Sequence, residues 1–100
     1  MGIQIGSYNL DGPHTNIGGL HAQSGVYVIL GRSGGTNWSV VDIGESQSVR
    51  ERVETHDRQP CWQRHGYQVL AVAALYVNER QRMTIEKELR IRYTPPCGEK

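Results

Sequence analysis

Val69 to Val77 is the longest apolar run in the chain, nine residues that include Val69, Val72, Tyr76 and Val77. A helix that crosses a bilayer needs about 20 apolar residues, so this run is no membrane span and no membrane partner is expected. Its length and its β-branched and aromatic content favour a buried strand over a helix. The chain has 100 residues, 37% of them hydrophobic and 21% charged, which is material for one small core. A domain of this size buries about two-thirds of the surface its unfolded chain exposes.

Two more strands precede that run. Val26-Tyr27-Val28-Ile29-Leu30 is β-branched and aromatic, and Trp38-Ser39-Val40-Val41-Asp42-Ile43 follows after the Gly-rich turn Gly31–Thr36. Strand, short Gly-rich turn and strand together read as a hairpin. Ser48 with Glu51 matches a capping box, which predicts a helix from Ser48 to about Arg58 that stops before Pro60. Asn78 with Gln81 predicts the cap of a second helix, with Ile85 and Leu89 on its buried face and Pro95-Pro96 at its end. The order β-β-α-β-α is an α+β layer, a small antiparallel three-stranded sheet flanked by helices. Nine of the 12 glycines lie in the first 35 residues. Residues 1–24 therefore read as an irregular Gly-rich lead-in, with at most a short strand at Ile3–Tyr8.

Charge and cysteines narrow the setting. Eleven basic residues against 10 acidic ones give a formal charge of +1, which excludes a strongly basic tail but not a local basic groove. Nine of the eleven are Arg, suited to planar, bidentate contact with carboxylates or phosphates. The first 31 residues carry one charge, Asp11, and show no basic and apolar secretory leader. The two cysteines, Cys61 and Cys97, make no disulfide framework and read as free thiols of a cytoplasmic protein. Cys61 and His65 have a spacing that a metal can use, without a second close pair to complete a zinc set.

Several short motifs then occur in a fixed order. Gly25-Val26-Tyr27 lies on the first strand and Asp42-Ile43-Gly44 on the second. Arg52 stands ten residues after Asp42, and His56 four residues later. Ile85-Glu86-Lys87-Glu88 lies on the last helix, and Tyr93-Thr94-Pro95-Pro96 closes the set. This order resembles the GIY-YIG nuclease superfamily over roughly residues 24–98. The resemblance implies a domain at residues 25–100 and a metal-dependent endonuclease that hydrolyses DNA phosphodiester bonds. The alternative is a catalytically silent nucleic-acid-binding or protein-interaction module on the same fold. Two positions depart from the family pattern. Asp42 stands where the family has Tyr, and Cys97 and Gly98 occupy the end where an Asn commonly follows.

On that resemblance, Glu86 is the metal ligand, since one carboxylate with substrate oxygens and waters suits Mg²⁺ or Mn²⁺. Read by helix periodicity alone, Glu86 pairs with Arg82 or Arg90 at i±4. Arg52 would grip the scissile phosphate through its donor fork. His56, one turn on, would donate to phosphate or shuttle a proton. Tyr27 would orient or deprotonate water, although a free phenol titrates near 10 and needs a cationic neighbour to serve as a base. Asp42 either joins the site as a ligand or base, or repels the substrate phosphate and silences it. Trp38, Trp62 and Tyr67 are candidates to stack on bases, with Arg58 and Arg64 on the backbone. So small a nuclease would rely on DNA shape, a homodimer or a partner protein.

Overall fold

Gly25–Arg32 is buried along seven of its eight residues, as the central strand of a sheet must be. The computed structural model describes residues 2–98, so the outermost residues of the expected boundaries, 1, 99 and 100, lie outside it. In chain order the elements are β1 (Gly2–Ile5), β2 (Tyr8–His14), a 3₁₀ turn (Ile17–Gly19), β3 (Gly25–Arg32), β4 (Ser39–Ser46), α1 (Val49–Glu54), α2 (Gln59–Arg64), β5 (Val69–Tyr76) and α3 (Glu79–Tyr93). The strands form one sheet in the order β1-β2-β5-β3-β4, with every neighbouring pair antiparallel.

The α+β class therefore stands, but the expected three-stranded sheet is too small. The strands read from the sequence are β4, β3 and β5, and the lead-in adds two more beside β5. The stretch Ile3–Tyr8 is two strands rather than one, because Gly6, at φ +62°, turns the chain between Ile5 and Tyr8. Glycines 2, 6 and 12 and Pro13 mask these strands in the sequence. Ile5 and Leu10 nevertheless bury against Ile85 and Leu89 of α3, so tertiary packing overrides weak local propensity. β2 also covers the edge that β5 would otherwise present.

Helices cover both faces. Val49, Val53 and Trp62 of α1 and α2 pack on Tyr27, Ile29, Val72 and Ala74, and Ile85 and Leu89 of α3 pack on Val26, Val28, Leu30 and Ile43. Each such aliphatic side chain, fully buried, contributes about 1.5–3 kcal/mol. α3 starts as expected: Asn78 Oδ1 accepts the Gln81 N–H at 2.9 Å, and Gln81 Oε1 accepts the Asn78 N–H at 3.4 Å. It ends at Tyr93, where Thr94 takes a left-handed conformation at φ +40°. The first helix differs from expectation. Ser48 makes no cap to backbone and its hydroxyl instead donates to the Glu51 carboxylate. α1 stops at Glu54, and Pro60 lies in the first turn of a separate helix, α2, where its missing N–H costs nothing. Among the described residues no helix is long and apolar enough to cross a membrane.

The free-thiol expectation also fails. Cys61 on α2 and Cys97 beyond α3 form a disulfide across 36 residues of sequence. The chain leaves α3 on one face, passes the outer edge of β4, and reaches α2 on the other. On the way the Cys97 N–H donates to the Val41 carbonyl at 3.0 Å, which partly closes that edge. Sequence spacing carried no sign of this crossing.

Candidate functional site

Tyr27 faces the α1/α2 layer from the central strand, opposite Gly44 on β4. A Cβ at position 44 would overlap the phenol ring and its hydroxyl, so the glycine of Asp42-Ile43-Gly44 is the space in which Tyr27 lies. Gly25, at the start of the other motif, has no room for a Cβ beside the Leu75 carbonyl. Gly44→Ala is therefore expected to cost about 1–3 kcal/mol, because a buried ring must move. Urea denaturation reads this directly, and a loss under about 0.5 kcal/mol would show that the ring yields freely.

The Tyr27 hydroxyl lies 2.7 Å from His56 Nε2, and the two rings meet edge-on at 5.7 Å. His56 sits in the link between α1 and α2, and its Nδ1 accepts the Arg58 backbone N–H at 3.0 Å. Burial, reinforced by the Arg52 and Arg58 guanidiniums, pushes the imidazole down to about 4. The ring is thus neutral at pH 7. With Nδ1 accepting, Nε2 carries the proton and donates it to the phenol oxygen. Burial also raises Tyr27 to about 12, against the opposing pull of Arg52 and Arg58. The phenol therefore keeps its own proton and serves as a donor, not as a base. Arg52 faces this phenol from α1 and pairs with Asp57 at 3.1 Å.

Asp42 is fully buried, and a bulge explains where it points. Ile29 opposes Asp42 while Leu30 opposes Val40, so Val41 is the extra residue on β4 and the strand re-aims its side chains there. Oδ2 accepts from Arg58 Nε and Trp62 Nε1, each at 2.7 Å. Oδ1 accepts from Arg90 Nη2 at 2.6 Å, from the Ile43 N–H at 2.8 Å and from Arg58 Nη2 at 3.3 Å. Arg90 in turn donates from Nε to Glu86 Oε2 at 3.0 Å. Glu86 lines a surface groove of about 620 Å³ with Lys87, Arg90, Ile91 and Thr94.

Four of the five residues selected from the sequence are thus joined by hydrogen bonds. Tyr27 bonds His56, His56 accepts the Arg58 backbone N–H, the Arg58 guanidinium bonds Asp42, and Asp42 connects through Arg90 to Glu86, while Arg52 pairs with Asp57. Arg52 and Glu86 line separate grooves. Sequence reading missed Arg90 as a link, although its i+4 spacing from Glu86 marked it as a partner. It also offered Trp62 for base stacking, whereas the indole is buried against His56 at 4.9 Å and bonded to Asp42. Trp38 carries the Arg32 guanidinium over its ring at 4.4 Å, and Tyr67 covers Gly31.

No protein-family model matches the chain, and no curated protein or solved structure matches it. The functional reading therefore rests on the motif order and on this network.

Proposed function

We propose that this chain is a metal-assisted DNA endonuclease of the GIY-YIG kind, with Arg52 at the phosphate, Tyr27 and His56 buried behind it and Glu86 as the metal ligand. The observations that support the reading are the motif order and the hydrogen bonds that join Tyr27, His56, Asp42 and Glu86, with Arg52 and Glu86 on separate grooves. Arg52 is 40% exposed, and its partner Asp57 is 77% exposed. Such a surface pair is weak, and a phosphate oxygen can replace the carboxylate. Tyr27 and His56 are buried, so in this reading they support the site from within, with His56 holding the phenol in place. Neither group is charged at neutral pH, so neither repels nor attracts the phosphate by net charge.

Glu86 fits one inner-sphere ligand of Mg²⁺ or Mn²⁺. Its Oε2 is held by Arg90, and among the described residues Oε1 accepts no hydrogen bond. A cation that keeps most of its waters needs no more from the protein. When bound, it supplies Lewis-acid stabilisation and a more acidic water. DNA is the substrate class and the cytoplasm the compartment in this reading, with a second copy or a partner chain adding the recognition surface that so small a domain lacks.

One observation favours a second reading. Asp42 satisfies its acceptors with two arginines, an indole and a backbone N–H, in the place where the family has a phenol. It is an internal counter-ion that neutralises Arg58 and Arg90, and a silent binding module on the same fold follows if the lost phenol is essential. Cleavage of plasmid and branched DNA with Mg²⁺ or Mn²⁺ separates the two. The natural chain is expected to cut, and Glu86→Ala to cut at least about 100-fold more slowly, as for loss of one main transition-state stabiliser. Equal cutting by both proteins would remove Glu86 from the site. No cutting by the natural chain under any metal would leave the silent module.

A further inference from the structure

Beside the disulfide lies a residue that the network does not use. His65 closes α2 four residues after Cys61, and its ring nitrogen and the sulfurs of Cys61 and Cys97 all lie within 4.8 Å of one another. We propose that reduction of Cys61–Cys97 turns this cluster into a zinc site, with Cys61, Cys97 and His65 as ligands. Zinc held by two thiolates and an imidazole needs ligand atoms about 3.5–3.8 Å apart, from bond lengths near 2.3 and 2.0 Å in a tetrahedron. The imidazole nitrogen lies within 4.8 Å of both sulfurs, about an ångström beyond that spacing, and the two sulfurs move apart once their bond is reduced. The Cα atoms of the cysteines, 6.0 Å apart, need little movement. Residues four apart on a helix share one face, so Cys61 and His65 approach the ion from the same side. His65 is exposed and Cys97 is buried, so the site opens to solvent on the imidazole side, where a water completes four ligands.

A dithiol or phosphine reductant gives two electrons to the Cys61–Cys97 bond and is itself oxidised, and the two sulfurs take up two protons. Zn²⁺ then binds both sulfurs as thiolates and releases those protons, while His65 binds through a neutral ring nitrogen. In a reducing compartment the disulfide is the form under pressure, and the zinc form keeps the same crosslink between α2 and the segment beyond α3. The exchange would also reach the candidate site. Trp62, next to Cys61, donates to Asp42, and the Cys97 carbonyl accepts from Arg90 at 3.5 Å.

The test uses the full chain, reduced with a phosphine and freed of excess reductant, then titrated with Co²⁺ and competed with Zn²⁺. The expected result is one ion per reduced chain, with thiolate-to-cobalt charge-transfer absorption and tetrahedral ligand-field bands, and no uptake by the oxidised chain. His65→Ala changes an exposed side chain, so the fold is kept. Its affinity is expected to fall about tenfold or more, since even losing a partner of a ligand costs 10–100-fold. No uptake by the reduced chain, equal uptake by the oxidised chain, or unchanged affinity in His65→Ala would each overturn the proposal.

Discussion

Asp42→Asn is expected to lower stability by about 3 kcal/mol, the lower end of the cost of removing one partner from a buried ion pair. The carboxylate is fully buried and every polar contact it makes is with a donor. A carboxamide of the same shape must turn an NH₂ either toward Arg58 and Trp62 or toward Arg90 and the Ile43 N–H, and it brings no charge. Arg58 and Arg90 keep 31% and 23% side-chain exposure, so water relieves part of the loss. That relief sets the lower end of the range. Urea denaturation at pH 7 measures it, and a variant within about 1 kcal/mol of the natural chain would show that Asp42 is no structural counter-ion. If the chain binds DNA as proposed, the same substitution is expected to have the opposite effect there. Two guanidiniums lose their internal partner, and each new phosphate contact steepens the salt dependence of DNA binding by about 0.9. A slope steeper by about 1.8 is expected for both arginines, and by about half of that if Glu86 retains Arg90.

How much of this was legible follows from where each signal lives. The hairpin of β3 and β4, the strand β5 and the cap of α3 are local patterns, and each appears where the sequence put it, within a few residues. The lead-in strands are not local. Ile5 and Leu10 have core positions only because α3 supplies Ile85 and Leu89 from the far end of the chain. The helix expected from Ser48 to Arg58 failed for a related reason. Pro60 reads as a stop, but the chain leaves α1 at Glu54, and the link between the helices is what carries His56 under Tyr27. At the site, the selected residues came from motif order, and their connection came from Arg58 and Arg90, which no short motif marks. The role of Asp42 was the least legible. A carboxylate in place of a phenol reads equally as ligand, base or obstacle, and only the bulge at Val41 and the crossing of the C-terminal segment reveal two arginines converging on it. The disulfide depends on that same crossing.

The stability of the chain is expected to fall by about 3 kcal/mol from His56 alone as pH drops from 6.5 to 4. In the fold the imidazole titrates at about 4, chiefly because burial disfavours its charged form, and its side chain is fully shielded from solvent. Unfolded, it titrates near 6.5. Between these values the unfolded chain binds more protons, so stability is complete above about 6.5 and is lost as pH falls toward 4. Tyr27 sets the opposite limb. Its folded value of about 12 exceeds the unfolded value near 10, so the fold holds a proton that the unfolded chain gives up. Stability is then complete below about 10 and declines by about 2 kcal/mol as pH rises to 12. Other carboxylates add to the acid limb, so the informative quantity is a difference. Urea denaturation from pH 4 to 8 is expected to show a shallower acid slope for His56→Gln than for the natural chain. An identical slope would mean that His56 is not held neutral by its surroundings. The same pair constrains the proposed chemistry. Between about pH 6.5 and 10 neither ring changes charge, so a cleavage rate that rises across that window reports neither the imidazole nor the phenol.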